Sequence, residues 1–307
     1  MITLGINISH DFSVCVYENG KIKDFFYEER YNFKKRWKIK NKNCFLLSLF
    51  KNINFKPDLV IYSSIQRLNN ASISDEEVIH DIQKQLDNPP YYFDKNKHHV
   101  YHALSSFYFS KFDEAMSLVI DGRGCMPFND WYFETQSIFY LNKKLISKIY
   151  QHLSNRIALR MEDKIKNLSE YAYKYFIDGT EYDFSSMSLG GYEFERVCKL
   201  IDMENEPGKL MGLSSYAYCN EKYNVDYDKV NMAKEVQENT FNETCELIEK
   251  AYNYRKIKNF VLSGGYFLNC SNNFKYVKRY PEINFFVDPV PHDGGTAIGA
   301  CVYNDYK

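Results

Sequence analysis

The eight cysteines, Cys15, Cys44, Cys125, Cys198, Cys219, Cys245, Cys270 and Cys301, include no CxxC pair. Several stand inside apolar runs, where a thiol behaves as a small hydrophobe. That argues against a disulfide framework and for a reducing compartment. No apolar run approaches the roughly 20 residues that a membrane helix needs. The N-terminus opens directly on a strand-like alternation, so no signal peptide is expected. Neither sign of charge dominates: 39 basic residues face 40 acidic ones, and a formal charge of −1 offers no global attraction for nucleic acid or an anionic membrane. No GxGxxG or Walker loop occurs, and no low-complexity linker divides the chain. The expectation is a cytoplasmic protein folded as one unit with a cleft.

At 307 residues the chain can bury a large core, and its length favours about two domains or lobes. Its 27 Tyr and 23 Phe read first as dense packing and second as binding surface. One basic cluster, Lys34, Lys35, Arg36, Lys38 and Lys40, reads as a solvated loop or an anion contact.

Three antiparallel strands are expected at the start, over 2–8, 12–18 and the KIKDFFYEE run, with Asn19-Gly20 as a hairpin turn. Helices are expected over 43–53 and 75–86, with a buried strand at 57–64 between them. The theme then repeats, with a strand over 115–122 and aromatic strand-like segments over 130–151. A long helix covers about 229–256, and strands follow at 258–265 and 284–290. A last helix begins near Thr296.

Four constellations carry chemistry. In His98-His99-Val100-Tyr101-His102, a helix would project His98 and His102 from one face. That suits two ligands of one metal, although satisfied core histidines show the same spacing and imidazole does not select the ion. Asp121-Gly122-Arg123-Gly124 places an acid at a strand end before glycines, a cation or anion site or a capped turn. In Leu262-Ser263-Gly264-Gly265, with Asn269 beyond, glycines between strand and helix admit a nucleotide phosphate. In His292-Asp293-Gly294-Gly295-Thr296, Asp293 either caps the final helix or completes a metal site.

Segments in order along the chain carry a family resemblance: LGINISHDFSVCV, YEER, HHVYHALSSFYFSKF, VIDGRG, GKLMGLSSYA, LSGGYFLNC and DPVPHDGGTAIGA. Together they resemble the NodU-type O-carbamoyltransferases, specifically their N-terminal transferase domain. The resemblance implies an α/β, two-lobed actin-like ATPase/sugar-kinase fold, with mixed sheets and flanking helices around a central cleft. This is the branch that includes the threonylcarbamoyl tRNA-modification protein. Residues 1–114 would form the first lobe and 115–294 the second, with the helix at 295–307 returning to the first. It also implies a metal, Fe(2+) or another divalent ion, on His98, His102, Asp121 and Asp293.

The implied reaction moves a carbamoyl group from carbamoyl-adenylate, made from carbamoyl phosphate and ATP, to a hydroxyl of a glycan, nucleoside or other small molecule. Adenosine would lie near Gly122, Gly264, Gly265 and Asn269, with Lys209 on phosphate. His10 beside Asp11 is the candidate base. Two departures stand out. Cys125 occupies a position that is acidic in many relatives. Characterised members also carry a further YrdC-like, carbamoyl-adenylate-forming domain, so a separate partner protein or a missing domain is expected. Two alternatives are a tRNA-modifying transferase of the threonylcarbamoyl type and a non-catalytic nucleotide-binding regulator. Neutral net charge gives nucleic acid no independent support.

Overall fold

The structure, a computed structural model, describes residues 1–33, 56–65, 73–128, 132–155, 172–185, 190–204, 206–218 and 226–306. The helix expected over 43–53 and the basic cluster at 34–40 lie outside them.

The chain opens with β1 (Ile2–Asn7), β2 (Ser13–Glu18) and β3 (Lys21–Tyr27), the last two joined at Asn19-Gly20 as the hairpin signal predicts. A short helix, α1 (Glu29–Asn32), precedes β4 (Leu59–Ser63), α2 (Asp75–Gln85) and β5 (Tyr91–Phe93). Ser74 starts α2 with a capping box, its hydroxyl accepting from Glu77 N–H while the Glu77 carboxylate accepts from Ser74 N–H. Next come α3 (His98–Ser110), β6 (Glu114–Ile120), β7 (Tyr132–Asn142), β8 (Leu145–Asn155), β9 (Ala172–Ile177) and β10 (Thr180–Ser185). Helices α4 (Gly191–Leu200), α5 (Pro207–Leu213) and the long α6 (Tyr227–Arg255) follow. The chain closes with β11 (Asn259–Ser263), α7 (Cys270–Arg279), β12 (Asn284–Val287) and α8 (Thr296–Tyr303).

Among the described residues two sheets form, in the orders β3-β2-β1-β4-β5 and β12-β11-β6-β7-β8-β10-β9. Each holds the same unit. An antiparallel trio (β1-β2-β3; β6-β7-β8) is extended from its first strand by two parallel strands (β4-β5; β11-β12). The repetition is one of topology, because parallel strands must be reached by crossovers while the trios need only hairpins.

Two helices lie between the sheets and join them. Val100, Ala103, Leu104 and Phe107 of α3 share a core with Ala297, Ile298, Cys301 and Val302 of α8, with Cys15 and Tyr17 of β2, and with Val119 and Val261. Each such fully buried Val, Leu, Ile or Phe contributes roughly 1.5–3 kcal/mol. The two helices touch backbone to backbone at Gly299, where a Cβ would stand 1.7 Å from the Tyr101 carbonyl oxygen. No side chain fits there, and the contact fixes α3 against α8. Cys15, Cys125, Cys198, Cys245 and Cys301 are buried free thiols, as their apolar settings predict. Among the described residues no helix is long and apolar enough to cross a membrane.

Candidate metal centre

His98 and His102 sit in the first turns of α3, a helix buried on all sides through Phe107. Their rings meet edge to face with centroids 4.7 Å apart. Asp121 follows β6, and Asp293 opens a short 3-10 turn, Asp293–Gly295, before α8. All four side chains are buried, and one ligand atom from each lies within 4.8 Å of the others.

The open question of capping at Asp293 is answered by its neighbour. His292 Nδ1 accepts from Gly294 N–H at 3.2 Å, so the imidazole caps the turn. The Asp293 carboxylate points away, standing 3.1 Å from Ser9 Oγ and 3.4 Å from His10 Nδ1. Asp121 is not a local cap either: its Oδ1 accepts from Gly265 N–H across the sheet at 3.1 Å.

The remaining distances have a different character. His98 Nε2 lies 3.4 Å from Asp121 Oδ2 and 3.6 Å from Asp293 Oδ1, and His102 Nε2 lies 3.6 Å from that same oxygen. An N–H···O bond is normally about 2.7–3.2 Å long. Ligands on a tetrahedral ion with bonds of about 2.1 Å are about 3.4 Å apart. His102 Nε2 is buried without a hydrogen-bond partner among the described residues. Two borderline imidazole donors, two hard carboxylates and one orphaned nitrogen fit a divalent transition ion.

Charge is balanced in the same way. Burial opposes ionisation of Asp293, but His10, His98 and His102 outweigh it and hold its carboxyl well below the usual range. Burial and Asp293 push Asp121 up, yet the two imidazoles bring it below its ordinary value. Burial disfavours charge on His98, and the carboxylates of Asp293 and Asp121 reverse that and raise it.

The first turn closes over the centre. Asp11 adopts left-handed backbone at φ 63° and accepts from Tyr27 Oη–H at 2.9 Å. Its other oxygen lies 3.5 Å from His292 and 3.8 Å from His10 Nε2. His10 is one-third exposed, which leaves its imidazole open at the edge of the cluster.

The residues expected on the nucleotide are engaged within the fold. Gly264, at φ 99°, lets β11 pass so close to β6 that a Cβ would stand 2.1 Å from the Ile120 carbonyl oxygen. Gly265 donates to Asp121, and Gly122 packs its backbone against Gly191. Asn269 caps α7 through Asn272 N–H and exchanges two 3.0 Å hydrogen bonds with the Gln237 side chain. Lys209 is exposed on α5 and pairs with Glu206 at 3.2 Å.

Two features escaped the sequence reading. One is a second buried cluster around His99. Its Nδ1 meets Ser137 Oγ at 2.9 Å and lies 3.7 Å from Glu134 Oε2. The Glu134 carboxylate accepts from Cys125 N–H at 3.1 Å and from the Gln151 side chain, whose Oε1 takes a 3.0 Å bond from Lys148. The other is Asp288, reached from His102 through Ser263. Both join positions far apart in the chain, so no local spacing announces them.

With this geometry in place, comparisons with known proteins can be read. Residues 212–302 match the family profile described as Carbamoyltransferase N-terminus. An uncharacterized protein of Synechocystis is 24% identical over 242 residues, which is 71% of this chain and 37% of that protein. The chain thus spans little more than a third of the curated relative it matches. Among solved structures, HypF in its phosphate- and nucleotide-bound form superposes with a TM-score of 0.56 at 14% identity, covering 99% of this chain and 55% of that one. HypF of T. kodakarensis gives 0.58 at 15% identity, over 99% and 47% of the two chains. The ROK hexokinase of Thermus thermophilus gives 0.54 at 8% identity, over 98% and 97%. At such identities the likeness speaks for architecture alone: the chain has the two-lobed actin-like ATPase/sugar-kinase fold.

Proposed function

We propose that this chain is a carbamoyl-transfer module whose centre is a divalent metal, Fe(2+) or a close equivalent, on His98, His102, Asp121 and Asp293. The observation that carries the reading is that four-residue cluster, with nitrogen and oxygen atoms at ligand-to-ligand spacing. The profile match over 212–302, which includes Asp293, supports carbamoyl transfer as the chemistry.

Carbamoyl-adenylate is the donor in this reading, and a hydroxyl of a small polyhydroxyl compound is the acceptor. The acceptor oxygen attacks the carbamoyl carbon, the bond from that carbon to the phosphate oxygen breaks, and AMP departs with the electron pair. His10 takes the hydroxyl proton, being open at the edge of the cluster. Asp11, fixed by Tyr27, orients His10 from its Nε2 side. Ser9 and His10 stand against Asp293 from the far end of the sequence, so both ends of the chain contribute to the site. A bound divalent ion supplies Lewis acidity for the negative charge that develops during acyl transfer. The donor is made elsewhere, by a YrdC-like protein or domain.

The test is AMP and carbamate ester formation from synthetic carbamoyl-adenylate by metal-loaded chain, with a panel of glycans and nucleosides as acceptors. Ester formation that disappears on chelation and returns with metal is expected. AMP release at the uncatalysed rate with every acceptor, whether or not a YrdC-like protein is added, contradicts the reading.

A further inference from the structure

His98 and His102 contribute to the same cluster but are held differently. The second nitrogen of His98, Nδ1, is buried without a hydrogen-bond partner among the described residues. The second nitrogen of His102 is engaged: its Nδ1 meets Ser263 Oγ at 3.3 Å, and Ser263 Oγ–H donates to Asp288 Oδ2 at 3.1 Å. All three side chains are buried.

The direction of this chain follows from counting protons. Burial pushes the Asp288 carboxyl up, against the pull of Val290 N–H and Ser263 toward its ionised form; ionised, it only accepts, and the single Ser263 hydroxyl proton goes to it. The Ser263 oxygen is then left to accept, which requires a proton on His102 Nδ1. An imidazole with its proton on Nδ1 presents a bare lone pair at Nε2, the orphaned atom that faces Asp293. Asp288 is fixed in turn, because its Oδ1 accepts from Val290 N–H at 2.9 Å. The relay spans the end of β11, the loop after β12 and helix α3, and it sets both the tautomer and the ring angle of one ligand.

From this we infer that Ser263 and Asp288 are positioning residues that select the metal-binding tautomer of His102. The inference rests on the reading of the four-residue cluster as a metal centre, and it adds two residues that neither touch the ion nor belong to that cluster.

The backbone also supplies a discriminating variant. In Asp288→Asn, Val290 N–H holds the amide oxygen at the Oδ1 position, which turns the NH2 group toward Ser263. The amide then donates to Ser263, whose hydroxyl must donate to His102 Nδ1. That moves the imidazole proton to Nε2, where it blocks the metal. Size and packing are unchanged, so a purely structural role of Asp288 predicts little effect. Ser263→Ala removes the relay from its centre, and Ser263→Thr keeps the hydroxyl.

The experiment is a titration of the metal-stripped full chain with Co(II) alone, followed by visible absorption against a competing chelator. Asp288→Asn and Ser263→Ala should each weaken Co(II) by about 10–100-fold. The double variant should be no weaker than the worse single one, since both break the same relay. Ser263→Thr should bind as the native chain does. Native affinity in Asp288→Asn and Ser263→Ala, or losses that multiply in the double variant, overturns the inference while leaving the metal centre standing. A native chain that takes up no Co(II) overturns the metal centre and this inference with it.

Discussion

Neighbouring residues of α3 serve two buried polar clusters of opposite construction. On one face, His98 and His102 stand 3.4–3.6 Å from the carboxylates of Asp121 and Asp293. Those gaps are too long for good hydrogen bonds and suited to a shared ion. On the other face, the carboxylate beside His99 is satisfied by protein groups: Glu134 takes Cys125 N–H and Gln151, and Ser137 takes the imidazole. Burial pushes the His99 imidazole down to about 4, so it is neutral. His99 Nε2 is itself buried without a hydrogen-bond partner among the described residues, so the contrast lies in the carboxylates: Glu134 receives protein donors, whereas the gaps around Asp121 and Asp293 fit an ion. The His99 imidazole ties α3 to β7 through Ser137.

Substitutions should separate the two faces. The largest expected effect is on the open side: His102→Ala or Asp293→Ala removes a ligand and should weaken Co(II) by more than about 100-fold, beyond the 10–100-fold typical of outer partners. Chelator competition measures it. On the closed side, Glu134→Ala strands buried partners and should cost about 3–5 kcal/mol in urea unfolding, with metal uptake per folded chain unchanged.

A matched pair sharpens the contrast, because each histidine meets a serine through Nδ1. Ser137→Ala should cost about 1–3 kcal/mol of stability and leave Co(II) affinity alone. Ser263→Ala should show its effect in the affinity. Equal behaviour of the two would remove the distinction.

A pH effect concerns Glu243, a half-buried carboxylate on α6 that receives Gly190 N–H at 3.3 Å and the Gln136 amide. Burial pushes it up to about 8 from an ordinary 4.5. A carboxyl raised in the folded state stabilises fully below its unfolded value, and the contribution fades as pH climbs, gone above about 8. Glu243→Gln should flatten the alkaline fall in thermal midpoint, measured from pH 6 to 9, and change little at pH 5.

The sequence made much of this legible because the relevant spacings are local. His98 and His102 are one helical turn apart, Asp121 ends an apolar run, and Asn19-Gly20 marks its hairpin. What stayed hidden depends on register between distant segments. Glu134 reaches His99 only because β7 pairs with β6 beside α3, 35 positions away. Asp288 was visible inside DPVPHDGG, but its partner Ser263 lies on β11, and only the parallel pairing of β11 and β12 brings them together. The pairing of Asn269 with Gln237 on α6 is of the same kind, joining positions that no local spacing connects.

The most direct test of the metal centre is elemental analysis of the purified chain combined with X-ray absorption at the metal edge. The account predicts one divalent ion per chain, a shell of nitrogen and oxygen only, and multiple scattering from two imidazoles. An absent ion, or sulfur in its shell from a thiol such as Cys125, would contradict it.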